Sequence, residues 1–239
     1  MRILAVNDDG IACAGIQDLT AALISAGHEL VVVAPDREQS GMSHALSLGR
    51  GIAVKELEPG RWACRGTPAD CVIAALSGGF IPRPELVVSG INAGANLGTD
   101  LIYSGTAAGA RQAALDGLPG IAFSLDGQPP FDFHAAAAWA AAYIHEFIPL
   151  IKGDMFLNVN FPSGVKAETS WRHAVPARRR YTNRMTMTPG GNGWQLLSFN
   201  DFEMDTAADD GSDCVIVEHG FVALSRVLIQ PAIEEIFHE

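Results

Sequence analysis

Residues 1–16 read MRILAVNDDGIACAGI. Arg2–Val6 is a short, mostly apolar run without polar alternation, the pattern of a strand covered on both faces. It runs straight into Asn7, Asp8, Asp9 and Gly10. Two carboxylates about 4 Å apart repel by about 4 kcal/mol at an effective dielectric near 20. A chain that sets Asp8 beside Asp9 at a strand end must expose them to water or supply a cation. Gly10 permits the sharp turn that lets two adjacent side chains aim the same way. An ordinary solvated Asp-Asp-Gly turn is the plain alternative.

Outward from this stretch the period alternates. Gly15–Gly27 carries Ile16, Leu19, Leu23 and Ile24 at helical spacing, with Gly27 as its stop. Leu30–Ala34 predicts a strand ended by Pro35. Thr67 and Pro68 predict an N-cap and first turn for a helix reaching about Leu76. Strands follow at Leu86–Ser89, Ile121–Ser124 and Phe156–Asn160, with helices at Thr106–Asp116 and Phe133–Ile148. Apolar strands alternating with helices predict an α/β fold with a doubly wound, mainly parallel sheet. Ligands of such sheets bind beyond the carboxyl ends of the strands. After about residue 162 the texture changes. Ser170–Arg180 and Gly193–Ser198 read as extended, and Cys214–Val217 and Phe221–Leu224 as short strands. The expected organisation is an α/β core over 1–162 and a β-rich extension over 163–239, folded on its own sheet or packed on a partner subunit.

Composition bounds the function. Of 239 residues, 48% are hydrophobic and 18% charged, enough apolar content for a large core. A net charge of −11 argues against a broad grip on duplex nucleic acid. Cys13, Cys64, Cys71 and Cys214 show neither a C-x-x-C pair nor zinc spacing, so reduced thiols in a cytoplasmic protein are expected. The apolar run after Arg2 is too short for a secretory signal, and the alanine-rich stretch His134–Ile148 is too short and too polar to span a bilayer.

Several polar clusters follow predicted strands and converge on one sheet edge. Asn7–Gly10 follows the first, Asp36–Ser40 the second, and Ser89–Asn92 the "ELVV" strand. Oxygen donors with no histidine or thiolate beside them suit a hard cation such as Mg²⁺ or Mn²⁺. Ser40 and Asn92 add neutral oxygens. Ser104-Gly105-Thr106 opens a helix after a glycine-rich run holding Asn92 and Asn96, which reads either as an anion site or as a plain cap with close helix–sheet packing. Arg37 and His44 flank Ser40. Arg178, Arg179 and Arg180 form a basic run that either faces solvent or draws in an anion.

The stretches MRILAVNDDGI, VVAPDREQSGMSHALSL, GTPADCV, LVVSGINAGANLGTDLIYSGTAAGA and LNVNFP, with weaker matches at RRRYTNR and GFVALSRVL, together resemble the SurE family of survival-protein phosphatases. The resemblance implies a Rossmann-like α/β fold with a C-terminal extension exchanged between subunits of a homodimer or homotetramer. It implies one divalent metal ion per subunit, Mg²⁺ or Mn²⁺, held by Asp8, Asp9, Ser40 and Asn92, with Asp8 and Asp9 catalytic. Asn96, Ser104, Gly105 and Thr106 fall where the family holds phosphate. The implied reaction is metal-dependent hydrolysis of nucleoside 5′-monophosphates, with 3′-monophosphates and short polyphosphate as further candidates. Two alternatives use the same sheet edge: a non-catalytic nucleotide-binding module, and a nucleotide-sugar transferase holding a metal–diphosphate. Ala14 stands where the family often has proline, and the helix after Ser104 lacks the family's usual Val and Glu.

Overall fold

The computed structural model describes residues 1–230; residues 231–239, the end of the expected extension, lie outside the described residues. The central sheet has nine strands. The six parallel ones are β4 (Arg61–Cys64), β2 (Glu29–Pro35), β1 (Arg2–Val6), β5 (Leu86–Ala93), β6 (Gly120–Leu125) and β7 (Met155–Phe161), in that spatial order. β3 (Val54–Glu58) pairs antiparallel with β4 at one edge. At the other edge β11 (Val222–Leu228) pairs antiparallel with β7 and carries β8 (Trp171–His173) outermost. The expected doubly wound sheet is therefore present, with strands from beyond Pro162 added to it.

Period-two alternation divides β1 between two cores. Ile3 and Ala5 face α1 (Ala14–Ser25) and α4 (Phe133–Phe147) in a layer that buries Leu19, Leu23, Trp139 and Phe147. Leu4 and Val6 face the opposite layer, where α2 (Pro68–Ser77) contributes Cys71, Val72 and Ala75, and α3 (Gly105–Leu115) contributes Ala113. α2 starts on a complete capping box: the Asp70 amide donates to Thr67 Oγ1 and the Thr67 amide to Asp70 Oδ2. α3 lies unusually close to the sheet. A Cβ on Gly105 would sit 2.8 Å from the Asp8 side chain, and one on Gly109 2.8 Å from Ser89 and Val6.

Strand order reverses between β1 and β5: the chain leaves β1 for β2 on one side, then returns to β5 on the other. Their carboxyl ends form the switch-point crevice. β5 runs further than its apolar core, through Ala93, because the ladder with β6 slips between Ser89 and Asn92. Such an irregularity re-aims a side chain next to a site, and here it turns Asn92 toward the crevice.

The region 163–230 holds two surprises for periodicity. Cys214–Val217 is not a strand but part of a helix, α5 (Asp213–Glu218). Its β-branched residues are overruled by packing: Ile216 and Val217 bury against Leu97 and Ala223. β9 (Arg178–Gly191) and β10 (Trp194–Ala207) form one long antiparallel ribbon outside the main sheet. Its root is fastened to the body. The Arg179 amide donates to Thr99 Oγ1 at 2.9 Å, while Asp213 accepts from the amides of Ala177 and Gly98. Further out, Trp194 is 76% and Phe199 72% exposed. Among the described residues no helix is long and apolar enough to cross a membrane.

The closeness of α1 to β5 yields a test. A Cβ on Gly15, in the first turn of α1, would stand 2.0 Å from the Ile91 carbonyl oxygen, a backbone atom with little room to yield. Gly15→Ala is expected to cost about 1–3 kcal/mol, read from the midpoint of urea unfolding; an unchanged midpoint would show that the two elements separate freely.

Candidate active site

Asp8 sits two residues beyond the β1–β5 ladder and is almost fully buried. Its surroundings are fixed from three sides. Its own carbonyl accepts from the Gln39 amide at 2.7 Å, which ties the Ser40 segment to it. The Thr106 hydroxyl donates to Asp8 Oδ1, and Gly105 packs on the Asp8 side chain. Gly10, at φ +102°, makes the turn behind it, closed by Asn7 Nδ2 donating to the Gly10 carbonyl at 2.9 Å. Asp9 Oδ2 accepts a long bond, 3.3 Å, from the Ala93 amide.

These residues open onto one cavity of about 880 Å³ at the carboxyl ends of β1, β2, β5 and β6. Asp8, Asp9, Ser40, Asn92, Asn96 and Ser104 all line it, so six of the eight residues singled out by sequence come together. The other two stand one layer back. Thr106 is fully buried with its hydroxyl committed to Asp8, and Gly105 is packed behind the same carboxylate. Arg37 and His44 are not in the lining; His44 Nε2 lies 2.8 Å from Gln112 Oε1 on another face of α3. In the arginine run, Arg178 and Arg180 face solvent while Arg179 turns inward to Asp100 at 2.7 Å.

The electrostatics are lopsided. Asp8, Asp9, Glu38 and Asp100 line the cavity, and among the described residues no lysine, arginine or histidine does; Asp100 alone of the four is paired, with Arg179. Burial raises the Asp8 carboxyl above its ordinary range, against the opposing Thr106 hydrogen bond. Burial first, and the neighbouring Asp8 charge second, push Asp9 up to about 6. Only bound positive charge lets both carboxylates stay ionised at neutral pH without that penalty. The donors present fit a hard divalent cation: two carboxylates, the Ser40 hydroxyl, and the Asn92 amide oxygen, left over because Asn92 Nδ2 donates to the Gly94 carbonyl at 2.8 Å. Among the described residues no cluster of three or more His, Cys, Asp or Glu exists, so any such ion here leans on neutral oxygens.

Asn96 is held by a buried amide lattice. Its amide donates to Asn160 Oδ1 and its Nδ2 to Ser124 Oγ, both at 2.8 Å, while its carbonyl accepts from Asn158 and Asn160. Asn158 and Asn160 project from the same face of β7. Two asparagines at alternate positions of an otherwise apolar strand are the sequence signal for this lattice. Asp100, Tyr103, Gln128, Phe131, Tyr181 and Asn183 also line the cavity; none is singled out as a site residue by sequence, though Asp100 and Tyr103 lie in the glycine-rich stretch and Tyr181 and Asn183 in RRRYTNR.

Comparison with known proteins agrees with this architecture. The family model described as survival protein SurE matches residues 3–183. The 5′-nucleotidase SurE of Syntrophotalea carbinolica is 39% identical over 230 residues, covering 94% of this chain and 90% of that protein. The 5′-nucleotidase SurE of Gloeobacter violaceus is 41% identical over 236 residues, covering 94% and 89%. The crystal structure of the SurE protein from Aquifex aeolicus superposes with a TM-score of 0.81 at 31% identity, covering 97% of this chain and 95% of that one.

The paired carboxylates predict a pH signature. The unfolded-state value for Asp is about 3.9, and folding raises Asp9 to about 6. Between those values the folded protein binds more protons than the unfolded, so stability falls as pH rises through the window. In EDTA the melting temperature should drop from about pH 4 to about pH 6, with a shallower drop in Asp9→Asn. An equal pH dependence in the variant would refute the assignment.

Proposed function

This chain belongs to the survival protein SurE family, and from that footing we propose that the switch-point cavity hydrolyses nucleoside 5′-monophosphates to nucleoside and phosphate. The observation that carries the reading is the lining itself. An anionic substrate is asked to enter a pocket lined by four carboxylates, three of them without a basic partner, and, among the described residues, by no basic side chain. That entry is favourable only with a resident cation, as a metal-dependent phosphatase has.

Asp8, Asp9, Ser40 and Asn92 would hold one divalent cation, Mg²⁺ or Mn²⁺. When bound, it supplies positive charge and Lewis acidity where the phosphate arrives. The remaining work falls to the chain. Ser104, the N-cap of α3, and Asn96 offer polar groups to the phosphoryl oxygens. The Gly105 amide faces the Asp8 carboxylate in the first turn of α3, where the helix dipole favours negative charge. Ser104 and Asn96 are fixed before substrate arrives, so they stabilise the charge that grows in the transition state without reorganising. Thr106 acts through Asp8 by holding its carboxylate. Asp9, beside Asp8 in the cavity lining, would complete the carboxylate pair that faces the cation and the reacting centre. The two alternatives, a non-catalytic nucleotide-binding module and a nucleotide-sugar transferase, are not favoured, because relatives matching nearly the whole chain bear the name of a hydrolase.

The β9–β10 ribbon is the proposed arm for a second copy of the chain, giving a homodimer or homotetramer. Its exposed Met187, Trp194, Leu196 and Phe199 form more apolar surface than a solitary ribbon tolerates in water. All four cysteines are unpaired, which suits a reducing compartment such as the cytoplasm.

Phosphate release from nucleoside 5′-monophosphates should vanish in EDTA and return with Mg²⁺ or Mn²⁺. Asp8→Asn should lower turnover by at least about a hundredfold while circular dichroism stays native; wild-type turnover in that variant would overturn the role. Light scattering should find Trp194→Asp and Phe199→Asp less associated than wild type, and identical masses would sink the arm.

A further inference from the structure

The proposed chemistry uses only the inner half of the cavity. At about 880 Å³ the space lies in the range of about 300–1,000 Å³ that encloses a drug-sized molecule, well beyond a phosphate group. Two segments distant in sequence wall the outer half. The loop after β6 brings Gln128 and Phe131, and the root of the ribbon brings Tyr181 and Asn183. The motif RRRYTNR explains the second pair. Strand alternation puts Arg179, Tyr181 and Asn183 on one face of β9. The first two are spent on anchoring. Arg179 donates to Asp100 Oδ2 at 2.7 Å and the Tyr181 hydroxyl to Asp100 Oδ1 at 2.5 Å. The Tyr181 ring also meets Phe202 in a T-shaped pair with centroids 5.3 Å apart. A ring anchored by its hydroxyl and lining the cavity is held in place to meet a ligand there. Asn183, two residues on, is exposed at the cavity wall.

We propose that Phe131 and Tyr181 provide stacking faces, and Gln128 and Asn183 amide edges, for the base of the nucleotide. The ribbon root thereby becomes part of the specificity site. This rests on the phosphatase reading and extends it to how the leaving nucleoside is recognised. Uncharged amides present both a donor and an acceptor, so the wall accepts several bases rather than demanding one. Asp100 is the positioning residue, because it holds the Tyr181 ring and, through its carbonyl, accepts from the Ser104 amide at 3.1 Å that leads into α3.

The test compares nucleoside monophosphates with ribose 5-phosphate, which lacks a base, and separately measures binding of adenosine and uridine by calorimetry. In Tyr181→Ala and Asn183→Ala the ratio of kcat/KM for nucleotide over ribose 5-phosphate should fall about tenfold, carried by KM rather than kcat. Nucleoside affinity should weaken by a similar factor. Tyr181→Phe, which keeps the ring, should retain most of the affinity lost in Tyr181→Ala. Gln128→Ala, on an exposed loop, checks the wall if a β9 variant fails to fold. Phosphate release with wild-type ratios and wild-type nucleoside binding in these variants would overturn the inference and leave the phosphatase reading standing. Nucleoside binding that depends on Tyr181 and Asn183, without phosphate release from any substrate, would do the reverse.

Discussion

The structure turns on the contact between Asp8 and the first turn of α3. A carboxylate at the end of a central parallel strand is costly to bury, yet Asp8 is buried there, met by the Thr106 hydroxyl and pressed by a glycine. No side chain larger than hydrogen fits at Gly105, and Gly109 repeats the condition one turn later against Val6 and Ser89. These two glycines set the depth at which the helix rides on the sheet. That depth aligns a positive helix end, a negative strand end and an open crevice within one small volume. The fold supplies the crevice at its switch point; the glycines decide that it becomes a site.

Around this contact the chain divides its labour by layer. Among the described residues, groups facing the cavity are acidic or neutral, while the lattice behind them is built of neutral amides and hydroxyls, most of them paired. The amide lattice of Asn96, Asn158, Asn160 and Ser124 is the clearest case, since it places polar atoms deep between strands and pairs most of them with one another. Rigid support of this kind keeps polar groups in position against the pull of a charged ligand.

Sequence alone revealed what is local. Strand β1, the Thr67–Pro68 helix start and the Asn7–Gly10 turn each follow from a few neighbouring residues, and the topology rule then gathered Asp8, Asp9, Ser40, Asn92, Asn96 and Ser104 to one edge. What escaped was long-range. Val54–Glu58 and Arg61–Cys64 pair around Pro59–Gly60, but β3 is almost wholly exposed and has no apolar signal. Cys214–Val217 has the composition of a strand, and only its packing partners make it helical. The outer cavity wall joins Gln128 and Phe131 to Tyr181 and Asn183, about fifty positions on, and nothing local to either segment reports that the two meet. The family resemblance sets Thr106 with the phosphate, whereas the structure turns its hydroxyl to Asp8, because position in a sequence reports proximity to a site and not which way a hydroxyl turns.

One buried carboxylate, Asp213, has a wider meaning. Its two oxygens accept from the amide of Gly98, at the head of the turn that leads to Ser104, and from that of Ala177, just before the ribbon begins. A single side chain thus rivets together the approach to the catalytic helix and the base of the outlying arm. A long lever fixed at one end passes force applied at its tip to its fulcrum, and here the fulcrum is shared with the reaction chamber. The base of the arm and the wall of the chamber therefore share one buried, hydrogen-bonded joint.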